Sequence, residues 1–166
     1  MNLNQKIVLK QIYSMKTQTQ ILLELWIEAR TRFTNQISSI FEDDLKKKIL
    51  PSQNSVGFLI RHIGDVELLF AKNVFGASDV KISAKTVIEK HDTGEWTNIQ
   101  ELKEYIVYSF DTLKSIVEKQ TDTDWETEVT TKEFGTKTKA EAFGRIVSHT
   151  AYHAGQIAII NKYGTI

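Results

Sequence analysis

The chain has 166 residues, 41% of them hydrophobic, enough for one core and the usual size of a single domain covering 1–166. Lysine plus arginine and aspartate plus glutamate number 21 each, so the formal charge is zero and no whole-molecule field draws in nucleic acid or an anionic membrane. The absence of cysteine excludes disulfides, iron–sulfur ligation, thiolate zinc sites and a cysteine nucleophile. No stretch approaches the roughly 18 apolar residues of a membrane span, and the first segment, MNLNQKIVLKQIYSMK, lacks an uninterrupted apolar core; the expectation is a cytoplasmic protein.

A single proline, Pro51, and little strand-like alternation predict an all-α fold with four long amphipathic helices. The first carries Ile21, Leu22, Leu25, Trp26, Ala29, Phe33, Ile37 and Ile40 or Phe41 inward, and residues before Gln18 either extend it or form a separate short helix. Leu23 and Ile27 add a second apolar set beside that stripe, more than one bundle face requires, which predicts a homodimer covering this part of the helix. Lys46, Lys47 and Lys48 follow Glu42, Asp43 and Asp44, an order that reads as the solvated carbonyl end of a helix rather than a nucleic-acid patch.

The second helix starts at a Ser52 or Ser55 cap and buries Val56, Leu59, Ile60, Ile63, Val66 and Phe70 until Gly76, with His62 in its middle. A polar connection from Ala77 to Glu95 shows no periodicity. Thr97 and Gln100 have capping-box spacing and open a third helix with Ile99, Leu102, Ile106, Phe110, Leu113 and Ile116 or Val117 inward, fading into TDTD. ETEVTTKEFGTKTK alternates enough for a small hairpin, after which Thr138 and Glu141 cap the fourth helix.

That last helix holds HTAYHAGQ. His149 and His153 lie four apart, one helical turn, with Cβ atoms about 5–6 Å from each other, a separation that suits one metal ion. Both rings flank the stripe of Phe143, Ile146, Thr150, Ala154 and Ile157, at the edge of the core. The spacing alone leaves two readings, ligands or core-edge histidines bonded to backbone. His62 flanks its own stripe in the same way, so packing the second helix on the fourth brings three imidazoles together with coordination positions left open, as in catalytic rather than closed structural sites. His91, in the polar connection, reads as solvent-exposed.

SVGFLIRHIGDVE, where His62 precedes Glu67 by five residues, and HTAYHAGQ together resemble the DinB/YfiT-like superfamily of metal-dependent enzymes. The resemblance covers most of the chain. It implies an up-down-down-up four-helix bundle, commonly dimeric, holding zinc or nickel through His62, His149 and His153. It also implies relatives that are transferases using a low-molecular-weight thiol or a thiol-dependent isomerase. Because a bound ion activates water as well as a small-molecule thiol, hydrolysis and thiol transfer are both open. The charge balance and lack of a spanning segment point to neither nucleic acid nor membrane as partner. A non-catalytic metal-binding or stress-response bundle is the competing reading.

Two neighbours have roles to be decided. Gln156, three residues past His153, either orients a metal-bound water or an outer group or faces solvent. Glu67 lies on the apolar side, where a carboxylate needs a partner, and a hydrogen bond to another helix is expected ahead of general-base work. No phosphate-cradling glycine loop is present, and Ser148 beside His149 forms no triad.

Overall fold

The computed structural model describes residues 16–166. The expected N-terminal extension lies outside them up to Met15, and Thr17 is an extended N-cap, so the first helix, α1, runs Gln18–Ile37. Thr17 and Gln20 close it reciprocally, Oγ1 accepting from the Gln20 amide at 3.2 Å and Oε1 from the Thr17 amide at 2.9 Å. Its buried stripe is Thr19, Trp26, Arg30, Phe33 and Ile37, rotated from the expected one, because Arg30 takes an inward place. Ile21 and Leu25 are consequently 53% exposed, and Phe41 lies outside the core. Leu23 packs half-buried against the core, which leaves Ile27 as the exposed member of the second apolar set.

The lysine cluster stands at a helix end, as expected, but not at the end of α1: Lys46 is in the last turn and Lys47 is the C-cap of a separate 3-10 turn, Glu42–Lys46, with Lys47 Nζ 2.6 Å from Asp44 Oδ1. Lys48 is tied by backbone to Thr165, its N–H donating to the Thr165 carbonyl at 2.8 Å. Helix α2 spans Val56–Asn73, capped by Ser55 Oγ on the Phe58 amide at 3.2 Å, and buries the whole expected stripe. The connection after it contains a short helix, α3, Lys85–Glu89.

Helix α4, Ile99–Val117, is capped by Asn98 and not by Thr97, since the Asn98 side-chain oxygen reaches the amides of Gln100 and Glu101 at 3.0 and 3.1 Å. The TDTD run winds into a short helix, α5, Asp122–Trp125, which buries Trp125. The expected hairpin forms from antiparallel β1, Glu128–Thr131, and β2, Gly135–Thr138, with Val129 opposite Lys137. Thr138 and Glu141 then make the expected capping box of α6, Lys139–Tyr163.

Side-chain pairings give the helix directions. Trp26 meets Phe143 and Gln36 meets Ala154, so α1 and α6 run parallel; Asp65 meets Tyr105 and Glu67 meets Ser109, so α2 and α4 run parallel. Arg30 reaches both Glu67 and the Ile106 carbonyl, with Trp26 on Phe110, which sets α1 against α2 and α4. The result is an all-α four-helix bundle with up-down-down-up order. Gly64 lets α2 and α4 approach, because a Cβ there would lie 2.8 Å from the Tyr105 ring. Among the described residues, no helix is long and apolar enough to cross a membrane.

One buried charge pair crosses the bundle centre. Arg30 Nε lies 2.7 Å from Glu67 Oε1, its Nη2 donates to the Ile106 carbonyl at 2.9 Å, and Ser109 Oγ donates to Glu67 Oε2 at 2.6 Å. The Arg30 guanidinium also sits 4.5 Å over the Phe110 ring. Glu67 is thus the structural bond between helices expected of it.

Candidate metal centre

His62 on α2 and His149 and His153 on α6 meet where the two antiparallel helices pack. One nitrogen from each lies within 4.8 Å of the others, and all three rings are half-buried. His62 Nε2 and His149 Nε2 are 3.1 Å apart. That is close to the roughly 3.3 Å edge of a tetrahedron with zinc–nitrogen bonds of about 2.0–2.1 Å. The donor set therefore fits one divalent ion, with positions left over.

Two of the rings are fixed in tautomer by their far nitrogens. Asp65 is fully buried and accepts from the Thr86 hydroxyl at 2.8 Å, the Thr86 amide at 3.2 Å, Arg61 Nε at 2.9 Å and the Tyr105 hydroxyl. The Thr86 hydroxyl, having donated its proton to Asp65, can only accept from His62 Nδ1, 3.1 Å away. His62 Nε2 is left with a bare lone pair turned to the other rings. On α6, Gln156 Oε1 accepts from His153 Nδ1 at 2.6 Å, which frees His153 Nε2 in the same way, while Gln156 Nε2 donates to Tyr152 OH at 3.1 Å. His149 Nδ1 is buried and has no partner among the described residues, so packing alone orients that ring.

Burial keeps the imidazoles neutral. It pushes His62 down to about 4, with help from His153 and against the pull of Asp65, and pushes His149 down to about 3, with the other two rings and Arg145 adding to the shift. His153 is lowered by burial too, opposed by its Gln156 bond. Neutral imidazole is the form that ligates. Burial and the Asp65 carboxylate raise the Tyr105 hydroxyl far above its ordinary range, so it remains a donor.

The site opens on a cavity of about 880 Å³ between the C-terminal half of α2 and the hairpin, lined in part by Val66, Leu69, Phe70, Val87 and Phe134. Arg145 Nη2 holds the hairpin's Glu133 at 2.9 Å, and its guanidinium covers the Phe134 ring at 5.2 Å. His91 is exposed, its ring bonded to the Glu89 carbonyl, and Ser148 bonds back to Arg145 within its own helix.

Sequence reasoning missed Asp65 and Thr86. Asp65 carried a signal, since three residues after His62 places it on a neighbouring part of the same helix surface. Thr86 carried none: it sits in the aperiodic connection, on a short helix flanked by left-handed Ala84 and Lys90 at φ 42° and 59°. Non-glycine residues in that region cost on the order of 1–3 kcal/mol each, strain that surrounding structure must hold in place.

An up-down-down-up helical bundle with a three-histidine cluster facing a cavity defines a class of protein, and sequence comparison gives the family. A sequence profile of the DinB superfamily matches residues 19–157, and the chain belongs to that superfamily. Among curated proteins none matches this sequence. Among solved structures, it is similar to the mycothiol-dependent maleylpyruvate isomerase and its histidine-to-alanine mutant, with TM-scores of 0.67 and 0.70 at 16% identity. In both cases 86% of this chain is covered, but it spans only 63% of the isomerase. A conserved protein from Enterococcus faecalis matches with a TM-score of 0.64 at 16% identity, over 89% of this chain and 97% of that one.

Proposed function

We propose that this protein is an enzyme holding zinc or nickel through His62, His149 and His153, and that its reaction transfers a low-molecular-weight thiol to a small-molecule acceptor. The observation that carries this reading is the convergence of three neutral imidazoles at the mouth of a cavity, two of them with the ligating nitrogen fixed by Thr86 and Gln156. A divalent ion bound there would supply Lewis acidity that draws the pKa of a coordinated nucleophile toward neutrality. The isomerase that shares this fold depends, by its name, on a thiol.

The acidic side chains favour thiol transfer over hydrolysis. Glu133 is the only carboxylate lining the cavity among the described residues, and Arg145 binds it. Asp65 and Glu67 are fully buried and committed to their own partners. Among the described residues the cavity thus offers as a base for water only a carboxylate already paired with Arg145, whereas a thiol, with a pKa of about 8.5, needs much less help to lose its proton.

The test uses protein purified without a histidine tag. Metal analysis should give one divalent ion per chain, and the reconstituted protein should consume a thiol with an epoxide or activated-alkene acceptor at a rate that chelation abolishes. Metal bound without turnover on any thiol and acceptor pair would leave the non-catalytic bundle as the answer. Thr86→Val and Gln156→Leu should each lower metal affinity by about 10–100-fold, because each releases one ring from its orienting bond. Chelator competition reads the loss, and Thr86→Ser should restore affinity.

We also propose a homodimer. The groove between α1 and α4, about 690 Å³ and lined by Ile27, Ile37, Ile106, Val107 and Phe110 among others, extends the exposed apolar surface at Ile27, with Val107 58% exposed. Light scattering at micromolar concentration should give twice the chain mass of 19.0 kDa, and Ile27→Glu should return it to the monomer.

A further inference from the structure

The cavity beside the histidines has two chemically distinct ends. His62, His149 and His153 lie at one. Lys72 and Asn73, in the last turn of α2, and Lys132, in the hairpin turn, form other parts of its lining. Lys72 follows His62 by ten residues of continuous helix, about 15 Å along the axis. Between them the floor and wall are Val66, Leu69 and Phe70 facing Phe134. Neither lysine forms an ion pair among the described residues, and the cavity's single carboxylate is held by Arg145. Lys72 therefore brings a positive charge without an ion-pair partner to the part of the cavity farthest along α2 from His62, and Lys132 adds a second from the hairpin turn.

We propose that the cavity takes an elongated amphiphilic anion, its nucleophilic or coordinating head at the histidines, an apolar body along Val66, Leu69 and Phe70 of α2, and a terminal carboxylate drawn by the cavity's lysines, Lys72 and Lys132. The position of the head rests on the function proposed above; the position of the carboxylate does not. The apolar side chains of Val66, Leu69 and Phe70 separate the histidines from Lys72, and the two ammonium groups, neither in an ion pair, favour an anion over a neutral polar end of equal length.

Calorimetric titration of the zinc-reconstituted full chain with mercaptooctanoic acid and mercaptooctanol tests this. The acid should bind at least about tenfold more tightly, a gap that narrows as salt is raised. Lys72→Met with Lys132→Met should abolish the gap while leaving affinity for mercaptooctanol and zinc content unchanged. Equal binding of acid and alcohol by the unmodified protein, or a gap that survives the double substitution, would overturn the proposal. Octanoic acid and octanol, titrated into metal-free protein, separate the two ends. If zinc does not bind, the head assignment fails, yet a preference for octanoic acid that depends on the lysines still upholds the cationic end, and no such preference refutes it.

Discussion

His62→Ala, His149→Ala and His153→Ala will each lose stoichiometric divalent-metal binding, and His91→Ala will keep it. Each of the first three removes one of the nitrogens gathered within 4.8 Å, and two imidazoles hold a labile ion poorly when no carboxylate is at hand to replace the third. His91 lies outside the cluster, exposed and bonded to its own loop. Helical circular dichroism should be unchanged in all four variants and on chelation. The rings are half-buried at the bundle's edge, while Trp26, Phe33, Leu59, Ile63, Leu113, Phe143 and Ile146 supply the fully enclosed core. Full metal occupancy in any one of the three, measured by mass spectrometry, would sink the ligand assignment. Unfolding on chelation would instead make the ion structural.

The second large effect lies away from the site. Arg30→Met leaves the fully buried Glu67 carboxylate with Ser109 as its only remaining side-chain partner, and Glu67→Leu strands the guanidinium. Each single substitution should cost about 3–5 kcal/mol, the usual penalty for an uncompensated buried charge, and lower Tm by on the order of 10 °C. The double variant Arg30→Met with Glu67→Leu should recover most of that loss, because apolar groups of similar volume replace both charges at once. Urea denaturation of the four-member cycle measures the coupling. Single variants that each cost less than about 1 kcal/mol would show that water reaches the pair, contrary to its burial.

The four long helices were legible because their apolar residues recur with helical period, and the α2 stripe is buried residue for residue. The three histidines were legible for the same reason, since helical spacing puts each beside a stripe that must face the core. The α1 stripe is buried as expected at Trp26, Phe33, Ile37 and Ile40 but not at Ile21 and Leu25, because an arginine cannot be read as buried until its partner on another helix is known, and with Arg30 inward those two lie on the exposed side. Asn98 displaced Thr97 as a cap through one residue of register, a difference that side-chain geometry decides. Thr86 was invisible because its role depends on a fold-back of the connection onto α2, made by tertiary contact and not by any local pattern.

Parallel placement of the first and last long helices imposes an order on assembly in time. The Arg30, Glu67 and Ser109 network draws only on α1, α2 and α4, so its charges can pair before α6 has been synthesised. The imidazole cluster cannot, since His62 and His149 are separated by 87 residues and the second arrives with the final helix. Until then the flanks of Trp26 and Phe33 that α6 will cover remain in water, along with His62 alone. Contacts this distant in sequence slow the closing step relative to a bundle of successive hairpins. A nascent chain of this design can form its central ion pair before α6 emerges, whereas its three-imidazole cluster is complete only once His149 and His153 have been made.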